Sequence, residues 1–104
     1  MVYDKIIKIQ KFNEEVEEWE DLFPLLHANI NKHKSDDKYL GSKAIQAKIS
    51  FVFRVRYFKA IEEIFANLQI YRIVYNGINY EIVDYDDYKL KHQSVKLLGV
   101  SYGQ

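Results

Sequence analysis

Cysteine is missing altogether from this 104-residue chain, which holds a single proline and four scattered glycines. Without cysteine there is no disulfide framework, no thiolate metal site and no cysteine nucleophile. The scattered glycines form no Gly-rich phosphate loop, and no Gly-x-Ser-x-Gly elbow occurs. Charge of one sign is also lacking: 15 basic residues balance 15 acidic ones. A dedicated nucleic-acid binder is usually basic, so this balance argues against one. No stretch approaches the roughly 18 apolar residues of a membrane span. The opening "MVYDKIIKIQKF" has no apolar run long enough for a signal peptide. The expectation is one soluble domain over residues 1–104, made and kept in a cytoplasmic compartment.

What is present is aromatic and patterned. The chain is 48% hydrophobic and 15% aromatic, with nine Tyr and six Phe, residues that favour strands. The most legible stretch is "YRIVYNGINYEIVDY", residues 71–85. Asn76-Gly77 is the preferred pair for a two-residue type I′ turn, because both positions need positive φ. A two-residue loop sets the register: Tyr75 opposite Ile78, Val74 opposite Asn79, Ile73 opposite Tyr80, Arg72 opposite Glu81 and Tyr71 opposite Ile82. One face then collects Tyr71, Ile73, Tyr75, Ile78, Tyr80 and Ile82 as core. The other face carries an expected Arg72–Glu81 ion pair.

The rest of the chain reads around this hairpin. "KIIKIQKF", residues 5–12, is a first strand. A second runs from Trp19 to about Ile30, bent at Pro24, which belongs at an edge or a bulge. A helix over Glu14–Leu22 is the competing reading. Residues 31–44, "NKHKSDDKYLGSKA", form a long polar loop, and loops of that length are usually functional or disordered. "AKISFVFRVRYF", residues 47–58, is a third strand with Ala47, Ile49, Phe51, Phe53, Val55 and Tyr57 on one face. In "KAIEEIFANL" the period changes, and Ile61, Ile64, Phe65 and Leu68 mark a short amphipathic helix. "DYDDYKLKHQ" reads as a polar turn and "SVKLLGVSY" as a last strand. The order β-β-loop-β-α-β-β-β, without βαβ alternation, points to an antiparallel barrel or sandwich.

No constellation for catalysis emerges. His27, His33 and His92 show no metal-ligand spacing, and Asp84, Asp86 and Asp87 lack the glycine and terminal glutamate of an EF-hand loop. The expectation is a non-enzyme without metal or cofactor. "SFVFRVRYFK" interleaves aromatics with arginines, as a nucleic-acid stacking platform would. Yet Phe51, Phe53 and Tyr57 share their face with Ile49 and Val55, which reads as core with Arg54 and Arg56 outside.

Taken in order, these segments resemble the phage head–tail joining proteins, small head-completion or head-closure components of long-tailed bacteriophages. The resemblance rests on "DKIIKIQ", a tryptophan in an acidic second segment, a third strand ending "RVRY", the hairpin "YRIVYNGINYEIVDY" and a closing "SVKLLGVSY". It spans residues 4–102. The connector from Tyr57 to Arg72 is longer than is usual in the family and carries the helical pattern.

The resemblance implies a mainly all-β chain: a small antiparallel β-barrel of about six strands, one short helix and a long polar loop after strand 2. It further implies a homo-oligomeric ring, commonly twelve-fold, in the neck of the virion, assembled in the host cytoplasm. Such a ring sits beneath the portal and its adaptor, closes the DNA channel after packaging and offers the tail a surface. The long loop then matches the channel loop, with Lys32, Lys34, Lys38, Tyr39 and Lys43 as candidate residues and non-specific contact with packaged DNA. Residues 13–23 are acidic, while residues 32–48 carry five lysines against two aspartates, and complementary patches of this kind steer assembly. The rival reading is an OB-like barrel that binds single-stranded nucleic acid.

Overall fold

The computed structural model of the chain describes residues 2–33, 48–87 and 91–102. The strands are β1 (Lys5–Asn13), β2 (Glu18–Lys32), β3 (Lys48–Arg56), β4 (Tyr71–Tyr75), β5 (Ile78–Asp86) and β6 (Ser94–Tyr102). Between β3 and β4 lies α1 (Glu62–Ala66), flanked by 3-10 turns at Lys59–Ile61 and Leu68–Ile70. The strands close into an antiparallel barrel in the order β1-β2-β3-β6-β5-β4, with β4 returning to β1. Closure leaves the sheet no long edge.

Alternation decides which side chains fill the interior. Ile7 and Ile9 from β1, Phe53 and Val55 from β3, Ile73 from β4, Tyr80 and Ile82 from β5, and Val95 and Leu97 from β6 are all buried in one cluster. Ile61 and Ile64 join it from the connector. Phe53 and Tyr80 meet edge to face with ring centroids 5.2 Å apart, a favoured aromatic geometry. Gly99 makes room for them: a Cβ there would lie 2.7 Å from Phe53 Cε1.

The β4–β5 hairpin follows the sequence register from Tyr75 opposite Ile78 through Arg72 opposite Glu81. Asn76 and Gly77 have φ of 55° and 80°, the left-handed pair that a type I′ turn requires. Pro24 sits where β2 bulges. Ile7 faces Leu26 and Ile9 faces Phe23, so three steps on β2 match two on β1, and the proline owes no ladder hydrogen bond there. Glu18–Lys32 is strand rather than helix in its first turns, and its tip is held by the Glu15 N–H donating to Asn13 Oδ1 at 2.9 Å.

Several expectations are corrected. The ladder stops at Arg72–Glu81, where the chain before Tyr71 turns away into the 3-10 turn, so Tyr71 and Ile82 are not register partners; both are still buried in the core. Ile78, next to the turn, is exposed, as is Ile49 near the start of β3. Asn31 and Lys32 belong to β2, paired with Val52 and Phe51. Asp84 and Asp86 belong to β5, paired with Leu98 and Lys96. In both places the neighbouring strand supplies partners that outweigh polar composition. β3 ends at Arg56, short of Tyr57 and Phe58, and Ala47 lies outside the described residues. Phe65 is 67% exposed: the leading 3-10 turn sets a period of three, which keeps Ile61 and Ile64 inward and turns Phe65 out. Its ring rests against Tyr85 at 5.2 Å.

Two substitutions test this frame. Asn76→Ala with Gly77→Ala should destabilise the fold by about 1–3 kcal/mol, since alanine resists positive φ at both sites. Gly99→Ala should cost about 1–3 kcal/mol by overpacking against Phe53. Chemical denaturation measures both, and an unshifted midpoint in either variant would contradict the packing described.

Candidate functional site

Antiparallel register sorts the connections between two ends of the barrel. One end holds Lys5, the close of β2 at Lys32, the start of β3 at Lys48, the Asn76-Gly77 turn and the close of β6. The other holds the turn between Asn13 and Glu18, α1 and the turn between Asp86 and Ser94.

Of the residues singled out in the long polar loop, one is described, and it lies at the first end. Lys32 is the exposed last residue of β2. Lys34, Lys38, Tyr39 and Lys43 lie outside the described residues. The segment they occupy leaves at His33 and returns at Lys48, and the His33 N–H donates to the Ser50 carbonyl at 3.0 Å. That bond holds the departing and returning chains side by side. Asn76 and Gly77 share this end, as a structural turn.

The opposite end is acidic. Glu14, Glu15, Glu17 and Glu18 are exposed around an exposed Val16. The same end holds a polar network that spacing alone could not have found. Asp87 is buried; its carboxylate accepts from the His92 N–H at 3.0 Å and meets His92 Nδ1 at 2.6 Å. His92 has φ of 56°, a strained setting that these two bonds stabilise. The Tyr57 ring stacks on the imidazole at 4.4 Å, and its hydroxyl donates to Glu62 of α1. Glu62 also takes Lys59 Nζ at 3.1 Å. The only sequence signal was an Asp and a His bracketing a polar turn.

These contacts shift the groups that make them. The hydrogen bond to Glu62, with burial second, pushes the Tyr57 phenol up to about 12. Tyr71 also rises to about 12, chiefly through burial and then through its 2.8 Å bond to Glu63. Glu62 is held below the usual carboxylate range by Tyr57 first and Lys59 next.

On the outer wall, Arg72 is redirected from its expected partner. No Arg72–Glu81 ion pair forms. Instead Arg72 Nε donates to Gln10 Oε1 at 2.8 Å, and the guanidinium lies 4.3 Å from the centre of the Trp19 ring. An exposed ion pair contributes little, whereas the planar guanidinium gains from stacking and a fixed hydrogen bond together. Gln10 Nε2 in turn donates to Asp21 at 2.9 Å, and this bond holds the Asp21 carboxyl low, with Lys8 assisting. Beside Trp19 and Arg72 a groove of about 640 Å³ runs past Leu68 and Val83.

Among the described residues no three His, Asp or Glu side chains gather as metal ligands. No described helix is long and apolar enough to cross a membrane. The histidine that is hydrogen-bonded to a carboxylate faces a tyrosine already committed to Glu62.

The phenol shifts give a pH dependence. Unfolded tyrosines ionise near the ordinary value of 10.0, while Tyr57 and Tyr71 in the folded chain hold their protons until about 12. Stability should therefore be constant, as far as these groups are concerned, below pH about 10 and fall between about 10 and about 12. Denaturation midpoints across that range check this, and the double variant Tyr57→Phe, Tyr71→Phe should flatten the fall. Equal slopes in both proteins would contradict it.

No curated protein matches the chain. A family model described as "Phage head completion protein" matches residues 4–99, nearly the whole barrel, from before β1 into β6. The chain is a member of the phage head completion protein family, with a structural place in the phage head and neck.

Proposed function

We propose that this chain assembles as a homo-oligomeric ring in the phage neck, beneath the portal and its adaptor. There it closes the DNA channel after packaging and presents a surface to which the tail attaches. Its work is assembly, not catalysis. The observation that carries this reading is the division of the barrel into two unlike ends. The lysine-rich segment departs from His33 and returns at Lys48 at one end, beside Lys32 and Lys5. The exposed glutamates of residues 14–18 stand at the other.

A ring needs each subunit to point one way along the channel wall. A barrel with a basic end and an acidic end does so in the field of packaged DNA: phosphates attract the first and repel the second. Lysines 32, 34, 38 and 43 would contact phosphates without reading sequence, in a salt-sensitive way. The closed barrel supports this by holding both roots of the segment in one sheet, so that the segment can be spent on contact. The rival single-strand-binding reading is weakened, because two of the aromatics it would stack on are taken: Phe53 is buried against Tyr80 and Tyr57 is stacked on His92.

Replacing residues 34–47 by a short Gly-Ser turn tests the proposal. The shortened chain should remain folded by circular dichroism, since β2 and β3 pair without it. Filled heads carrying it should leak DNA, and the yield of tailed particles should drop. Normal DNA retention and normal tailing would refute a channel role for the segment.

A further inference from the structure

We propose that neighbouring copies join head-to-tail through two apolar patches on opposite walls of the barrel, one centred on Leu25 and Ile6, the other on Phe65 and Val83. This rests on the ring reading above and deepens it by naming the faces that meet.

The placement follows from the strand order. In the closed order β1-β2-β3-β6-β5-β4, β2 and β5 are three strands apart in either direction, so their outer faces look opposite ways. On β2, Leu25 is 58% exposed at the Pro24 bulge, and Ile6 on the adjoining β1 is 55% exposed. On β5, Val83 is 50% exposed. It is the extra residue of an irregularity on β5, since Ile82 faces Gly99 and Asp84 faces Leu98. Phe65 stands beside it on α1, its ring against Tyr85. Large apolar side chains this exposed, two on each wall, mark interaction surfaces. In each patch one side chain, Leu25 or Val83, sits at a strand irregularity, and bulges commonly re-aim residues.

Two different patches, each accepting the other, are what a heterologous contact needs, and patches on opposite walls let that contact repeat around a ring. Charge matches the pairing. Arg56 lies beside the Leu25 patch, stacked 4.6 Å from the Tyr3 ring centre, and has no carboxylate partner among the described residues. Glu81 and Asp84 flank Val83 and have no cation partner among the described residues. One copy's Arg56 side thus faces a neighbour's carboxylate side. That steers the encounter and penalises like patch against like. A groove lined by Tyr3, Leu25 and Phe58 offers a seat for the projecting Phe65 ring.

The absence of cysteine makes the test clean within this chain. Leu25→Cys and Val83→Cys are introduced singly and together, with circular dichroism to verify folding. DNA-filled particles are treated with a short bismaleimide, and this chain is followed by an epitope tag. The double variant should give a ladder of multiples of its 12.4 kDa mass. Neither single variant should give one, while heads assembled from the two single variants mixed should give dimers only. Lysine cross-linking of wild-type particles separates the two levels of the reading. If it yields multimers but the double-cysteine variant gives no ladder, the face assignment is wrong. Self-linked dimers of a single variant would mean like faces meet, and links only to another neck protein would mean a different occupant; both overturn it. If wild type gives no multimers, the ring reading itself fails.

Discussion

The fold depends on one missing side chain. A six-stranded barrel has a narrow interior, and two large rings, Phe53 and Tyr80, occupy its middle from β3 and β5. They fit because Gly99, on the strand between them, presents no Cβ to Phe53. Around that contact the isoleucines of β1 and β4 and the valine and leucine of β6 complete a close-packed core. Ile61 and Ile64 join that core at the acidic end, where the Tyr57, Glu62, His92 and Asp87 contacts tie α1 to the last turn. A barrel closed in this way can leave its loops and outer walls to make contacts with other molecules.

Much of the frame was legible from local pattern. The Asn76-Gly77 turn and its register were readable because two residues with positive φ fix the pairs beside them, as far as Arg72 opposite Glu81. Pro24 was readable from its missing donor, and β2 bulges beside it. What pattern could not carry was the choice among non-local partners. Arg72 has Glu81 on one side and Gln10 with Trp19 on the other, and only the closed sheet decides between them. Phe65 counts as a core residue at helical period, but a 3-10 turn three residues long shifts the phase. Asn31, Lys32, Asp84 and Asp86 look like turn residues, and a paired neighbour makes each of them strand. The polar network at the acidic end joins residues 57, 62, 87 and 92, which come together only once β3, α1 and β6 are in place.

Family and geometry meet at the division between the two ends. Membership of the head completion family places the chain in the phage head and neck. A barrel whose net charge is zero can still be strongly polar along its length, and overall composition hides this. The proposed function uses that polarity: lysines toward phosphates, glutamates away from them, and unlike walls toward neighbours.

Imaging the neck of DNA-filled particles at side-chain detail addresses this most directly. Several copies should circle the channel, with the Lys32–Lys48 end of every barrel turned toward the DNA and the Glu14–Glu18 turn pointing away. A single copy, or a ring whose acidic turns face the DNA, would contradict it.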